Sequence, residues 1–321
     1  MRIGFVVFLT VAKELSISKA AQQLHITQQC ASDHIKRLEK EYNVALFERK
    51  PKFQLTAAGE IMKQSLQNVQ ILETSMERNL DSIAQGSRGT FTLGISTSRA
   101  PIILPKVLPR YYQEFPNVNI SFTEEDTKFL EEGLLSGRID LFIGINTTPH
   151  PDYEIITLAT EGIMLVISDA LLKQNFSSGE IEKMQNGVDL NLFSHVPFVL
   201  SFKSGKVNHA IQEYLIYNNV QLNVPYNISD IKTQIQLCAT GLGAVLCPKM
   251  LLENAYMHNS SCRNRQSYLH AFPIKHLGRD LHIDLVSHKN VMQPYFIHCF
   301  MDILKEEVAA IAQTDLLKGN L

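Results

Sequence analysis

A chain of 321 residues with 45% hydrophobic and 19% charged residues has material for two or three packed domains and is too apolar to stay disordered. Its formal charge of −2 argues against a general nucleic-acid coat protein. The charge is unevenly spread, however: residues 1–60 carry nine Lys/Arg against six Asp/Glu, a net of +3, and the remainder nets −5. A modestly basic head on an acidic body suits site-specific DNA binding beside a separate sensing part.

The apolar run over 4–11 is too short to cross a bilayer and closes at Lys13-Glu14. Phe5, Phe8 and Leu9 therefore read as the core face of a first helix, with neither a signal peptide nor a membrane anchor expected. Ser16 and Thr27 each precede a helical run and can accept from the free amides of a first turn, so helices are expected to start near Ile17 and Gln28. Ala20 and Ala21 are small enough to let two helices cross closely, and Leu24-His25-Ile26 leaves room only for a tight turn. In the second helix Ala31, Ile35 and Leu38 recur at helical spacing as a buried stripe. Its other face offers Gln28, Gln29, Ser32, Asp33 and Lys36, side chains able to read major-groove base edges. A solvated helix face would look the same, so the next segment matters. Asn43 can end the helix in the left-handed conformation, and Arg49-Lys50-Pro51-Lys52 makes a basic turn between two short strands, a wing able to touch phosphates.

From Phe8 to Gly59 these residues resemble the winged helix-turn-helix of LysR-type transcriptional regulators. The match includes Ala20, Ala21, Leu24, Gln28, Ser32, Ile35, Leu38-Glu39, Leu46-Phe47-Glu48-Arg49, Leu55-Thr56 and Gly59. Three positions depart from that pattern: Leu15 and Asn43 stand where Gly is common, and Gln29 where Pro or Ser is common. With Asp33, Gln29 alters which bases are read.

Residues 57–84 form one long helical stretch in which Met62, Leu66, Val69, Leu72, Met76, Leu80 and Ile83 repeat at steps of three and four. That stripe packs either on the chain's own body or against the same helix of a second subunit. The resemblance to the family's linker helix favours the second, a dimer or tetramer. Residues 85–89 read as a flexible joint.

Beyond Gly89 strands alternate with helices. Strands are expected at 91–95, 118–122 and 141–144, with helices at 102–115 and 129–136 between them. A second set has strands at 164–167, 198–200, 226–228 and 244–247 and helices at 206–218 and 231–240. A strand at 281–286 and a helix at 295–312 close the chain. This order implies an α/β fold with a mostly parallel sheet. Two lobes joined by crossings near 160–163 and 268–272 resemble the family's effector domain, which is similar to periplasmic solute-binding proteins. The domains are accordingly 1–60, a linker helix 57–86 and an effector domain 89–314. The effector domain divides into lobe I at about 89–162 and 269–302 and lobe II at about 163–268.

In parallel sheets ligands sit beyond the carboxyl ends of the strands, where this chain offers Ser96, Thr97, Ser98, Thr127, Ser201 and Phe202. Ser96, Thr97, Thr127, Ser201 and Phe202 also fall where the family's inducer contacts commonly lie. Free amides at helix starts and uncharged hydroxyls favour a small carboxylate, although Ser and Thr can equally serve only as caps. The five cysteines, Cys30, Cys238, Cys247, Cys262 and Cys299, are scattered, without metal-ligand spacing, and read as reduced thiols of a cytoplasmic protein. Cys238 and Cys247 could form a redox pair but sit among apolar residues. No hydrolase elbow, phosphate-cradling loop or His-Glu-x-x-His pattern occurs. No enzyme activity, metal or cofactor is expected. A transport-type binding protein would share the two-lobed body but needs export. The resemblance implies a ligand-responsive transcription factor with double-stranded promoter DNA, a small carboxylate effector, a second copy of itself and RNA polymerase as partners.

Overall fold

The computed structural model describes residues 1–50, 52–85, 88–201, 205–275 and 280–313, with the side chains of 82–85 excepted. Three helices open the chain: α1 (Ile3–Glu14), α2 (Ile17–Gln23) and α3 (Gln28–Tyr42). Ser16 Oγ accepts from the Lys19 amide at 3.3 Å and Thr27 Oγ1 from the Cys30 amide at 3.1 Å, which closes the first turns of α2 and α3. Helices α1 and α3 stop at left-handed residues. Asn43 (φ 51°) ends α3, and Leu15 (φ 46°) ends α1 in a conformation that disfavours a β-carbon. His25 (φ 54°) supplies the turn between α2 and α3. Val7, Phe8, Val11, Ala20, Ala21, Ala31, Ile35 and Leu38 make one core, joined by Leu46 and Phe47.

A hairpin follows, β1 (Phe47–Glu48) against β2 (Gln54–Leu55), antiparallel, with Phe47 opposite Leu55. Helix α4 (Ala57–Gln85) starts where Thr56 Oγ1 accepts the Gly59 amide at 3.0 Å and donates to the Ala45 carbonyl at 2.7 Å. Its apolar stripe divides. Met62 and Leu66 close the head core, while Val69, Leu72, Met76 and Leu80 are 43, 42, 56 and 58% exposed; the side chain of Ile83 lies outside the described residues. The far half of α4 docks on the body. Ser75 Oγ and Asn79 Nδ2 donate to the Met292 carbonyl at 3.0 and 2.8 Å, and Arg78 pairs with Asp140. Of the expected joint, Gly86 and Ser87 lie outside the described residues.

The first lobe runs β3 (Gly89–Ile95), α5 (Ala100–Glu114), β4 (Val118–Glu124), α6 (Thr127–Leu135), β5 (Leu141–Ile145) and β6 (Tyr153–Glu161). The second contains β7 (Ile163–Ser168), α7 (Asp169–Asn175), α8 (Ser178–Met184), β8 (Pro197–Leu200), α9 (Lys206–Tyr217) and β9 (Asn223–Asn227). It continues through α10 (Ile231–Ala239), β10 (Val245–Pro248), α11 (Glu253–Ser261) and β11 (Leu269–Pro273). The chain then returns through β12 (Leu281–His288) and α12 (Tyr295–Gln313).

The first lobe's sheet has the order β4-β3-β5-β12-β6. β3 runs parallel to both β4 and β5, and β12 runs against both β5 and β6. The expected mostly parallel sheet is thus corrected to a mixed one. The reason is topological: β12 re-enters from the second lobe, at the carboxyl end of the parallel strands, and must run back along them. In the second lobe β10-β7-β11 is antiparallel, and β8 and β9 form a parallel pair.

The first crossing lies at Gly162, between β6 and β7. The second differs from its expected place at 268–272, because Leu269 to Pro273 are strand β11, paired with β7, and Leu269 and Phe272 are buried there. The chain therefore leaves the second lobe only after Pro273, and the first lobe's final helix extends to Gln313. Among the described residues no helix is long and apolar enough to cross a membrane.

Candidate functional site

Two surfaces carry functional chemistry. On α3, burial of Ala31, Ile35 and Leu38 turns the opposite side outward. Gln28, Gln29 and Lys36 are exposed, and Ser32 and Asp33 half-buried. Gln29 Nε2 donates to Asp33 Oδ1 at 2.9 Å, so those two side chains hold each other one turn apart on this face. Arg49, Lys50 and Lys52 lie exposed at the tip of the hairpin. The hairpin is braced by Phe53 stacked on Phe47 at 4.9 Å and by Gln54 Nε2 donating to Glu48 Oε2 at 2.7 Å.

The second surface is a cleft of about 380 Å³ between the lobes. Its walls are the carboxyl ends of the two parallel pairs: Ser96–Arg99 after β3 and Glu125-Asp126 after β4 on one side, Ser201 after β8 and Ser229-Asp230 after β9 on the other. Ser96, Thr97, Ser98 and Ser201 are therefore brought together. Ser96 Oγ and Ser98 Oγ lie 3.4 Å apart, and Ser201 Oγ accepts from Asn208 Nδ2 at 3.1 Å. Phe202 lies outside the described residues.

Thr127 does not line this cleft. Its Oγ1 accepts the Ile145 amide at 3.2 Å, tying α6 to β5. The preceding residue, Asp126, takes the cap position and accepts the Phe129 amide at 3.0 Å. Thr127→Val is accordingly expected to lower stability by about 1–3 kcal/mol, the cost of a buried amide left without its acceptor, and to leave effector affinity unchanged. Denaturant unfolding beside ligand titration checks this; a loss of affinity with unchanged stability would return Thr127 to the ligand.

Sequence reasoning missed the residues at the cleft's base. Arg99 and Glu161 form a buried ion pair with side chains 3% exposed, and Glu161 Oε2 also accepts the Met250 amide at 2.6 Å. This set joins the start of α5, the crossing strand β6 and the second lobe. Asp126 and Asp230 were findable, since each stands just before a helical run where Asp is a preferred cap. Cys238 and Cys247 are fully buried; burial pushes the Cys238 thiol up to about 12 and the Cys247 thiol higher still, which keeps both protonated and unreactive. Among the described residues no cluster of His, Cys, Asp and Glu is arranged to hold a metal.

A winged helix-turn-helix on a long helical strut, followed by a two-lobed body with a cleft at its strand ends, defines a ligand-responsive DNA-binding regulator. Residues 4–60 match the family profile "Bacterial regulatory helix-turn-helix protein, lysR family" and residues 84–309 match "LysR substrate binding domain"; the chain belongs to the LysR family of transcriptional regulators. Its relatives include the uncharacterized HTH-type transcriptional regulator YcgK of Bacillus subtilis, 25% identical over 75% of this chain and 78% of the relative. The HTH-type transcriptional regulator IlvY of Escherichia coli is 24% identical over 77% and 82%. Both relatives are described as transcriptional regulators. The fold is shared with ArgP from Mycobacterium tuberculosis (TM-score 0.67, 14% identical, 95% of this chain and 96% of that one). It is also shared with full-length CbnR in complex with its target DNA (TM-score 0.55, 19% identical, 95% and 98%).

Proposed function

We propose that this regulator reads operator DNA with Gln28, Gln29, Ser32, Asp33 and Lys36 in the major groove, while Arg49, Lys50 and Lys52 hold the backbone. We further propose that it responds to a small polar metabolite with a carboxylate, bound between the lobes at Ser96, Thr97, Ser98 and Ser201. RNA polymerase is the downstream partner of a promoter-bound regulator of this kind. The observation that carries the DNA reading is the exposed polar face of α3, set beside a basic hairpin tip on one packed head. Gln28→Ala is expected to cost about 1–3 kcal/mol on the specific site with little change on random DNA. Lys50→Ala or Lys52→Ala should weaken both DNAs alike and reduce the log–log salt slope by roughly one unit per phosphate contact. Mobility-shift titrations across salt separate the two roles; an equal loss on both DNAs for Gln28→Ala would make it a backbone contact.

The exposed half of α4 supports self-association. Val69, Leu72, Met76 and Leu80 line one stripe of a strut on the order of 40 Å long, and the described residues leave that stripe about half exposed. A charge placed there and buried against a second copy would be unpaired. Leu72→Glu should therefore give dissociated protein with weak operator binding in sedimentation and shift assays. A variant that remains assembled would move the interface off α4. An effector shifts such an assembly only by binding its states with different affinity.

A further inference from the structure

We propose that the effector is a zwitterion, a small molecule bearing an ammonium group beside its carboxylate, as an α-amino acid does. This rests on the interlobe cleft being the effector site and adds the charge pattern of the guest. Four helices begin at the cleft, and they divide by how their first turns are closed. Helices α5 and α9 start at Arg99 and Gly205 without a side-chain cap from those residues; in α5 the Ala100 and Ile102 amides already donate to the Ser96 and Arg99 carbonyls and Pro101 has none, so that end offers an anion the field of its dipole and not a free amide. Helices α6 and α10 start under carboxylates: Asp126 accepts the Phe129 amide, and Asp230 Oδ2 accepts the Thr233 amide at 2.9 Å.

A second, independent observation points to the carboxylate. Arg99 lines the cleft, is 2% exposed, and its Nε–H has no acceptor among the described residues. A buried donor in that condition gains when an acceptor arrives.

The remaining wall asks for the opposite charge. Glu125, Asp126 and Asp230 all line the cleft, and hydrogen bonding from the Thr233 hydroxyl holds the Asp230 carboxyl below the ordinary carboxylate range, so it stays ionised. Among the described lining residues Arg99 is the one cation, and Glu161 already neutralises it. Lys206, at the start of α9, reaches across to Thr148 Oγ1 at 2.7 Å and Glu131 at 3.9 Å. Among the described residues a plain anion would meet three carboxylates without a free counter-charge, whereas an ammonium answers them and leaves the carboxylate for the Arg99 Nε–H and the dipole fields at the starts of α5 and α9.

Full-length protein is titrated by calorimetry with the common amino acids, their 2-oxo acids and the amines left by decarboxylation. One amino acid should bind, and its 2-oxo acid and amine should each bind weaker by on the order of tenfold or more, the scale of one lost charge-assisted hydrogen bond. The Asp126→Asn/Asp230→Asn double variant keeps both caps, because Asn caps as well as Asp. It should melt near the parent temperature and lose amino-acid affinity by a similar factor. Binding of a plain carboxylate or 2-oxo acid as tightly as any amino acid, tightened further in the double variant, overturns the zwitterion and keeps the cleft. Equal amino-acid affinity in parent and double variant overturns both the zwitterion and the cleft, and failure of every amino acid to bind overturns the zwitterion.

Discussion

Arg99→Met is expected to lower the stability of the two-lobed body by about 3–5 kcal/mol, the usual consequence of leaving one member of a buried ion pair behind. Both side chains are 3% exposed, so the stranded Glu161 carboxylate has no route to water without opening the base of the cleft. Adding Glu161→Gln should restore most of the loss: the charge disappears, and the amide oxygen still accepts the Met250 amide that Glu161 Oε2 now holds at 2.6 Å. Replacing Glu161 by Met instead would leave that amide unsatisfied and recover less. Urea unfolding of the single and double variants gives the answer. A single variant that loses under about 1 kcal/mol, the range of solvent-exposed pairs, would mean that the carboxylate is solvated after all.

Gly59→Ala should be the most damaging conservative change in the DNA-binding head. A β-carbon at Gly59 would lie 2.2 Å from the Leu46 carbonyl oxygen and 2.8 Å from Leu55 Cδ2. The carbonyl belongs to backbone already fixed from both sides: the Leu46 amide donates to Glu39 Oε1 at 2.9 Å, and the Leu46 carbonyl accepts the Thr56 amide at 3.0 Å. Relief therefore requires moving α4 away from the wing. Overpacking of this kind costs about 1–3 kcal/mol or more, and here it also displaces the hairpin bearing Arg49, Lys50 and Lys52. Operator affinity should fall sharply while ligand titration of the body is unchanged. Normal operator binding would show that the head absorbs the shift.

Most of the head was legible because its determinants are local. Ser16 and Thr27 cap within three residues, Asn43 ends its own helix, and the stripe of Ala31, Ile35 and Leu38 needs only helical spacing. The body was legible where a strand alternated, as β3 does at Phe91, Leu93 and Ile95, or ran apolar throughout, as β5 does. It failed where partners are distant. Among the described residues strand β6 pairs only with β12, more than a hundred residues later, and its outward positions break any simple alternation. Helices α7, α8 and α11 are short, and the Ser177 and Glu180 capping box that starts α8 was present in the sequence but unread.

The cleft shows the same division. Ser96, Thr97, Ser98 and Ser201 follow from strand ends. Thr127 reads from the sequence as an effector contact or a cap, whereas Asp126 takes the cap and the Thr127 hydroxyl turns to the Ile145 amide, a partner 18 residues away that no local pattern announces. Arg99 gave no signal, because its partner Glu161 stands 62 residues away.

The docking of α4 sets where a mechanical signal can travel. Its described polar anchors on the body, Met292 and Asp140, both belong to the first lobe, and Asp140 also accepts the Thr92 amide of β3 at 2.8 Å. Head, strut and first lobe are thus tied in series, and the chain passes to the second lobe through the crossing at Gly162 and returns from it after Pro273. A displacement of the second lobe alone would leave the anchors of α4 in place, so in an assembly it is expected to act through whatever that lobe touches. A monomeric form would bind its effector with no change in how its own head meets a half-site.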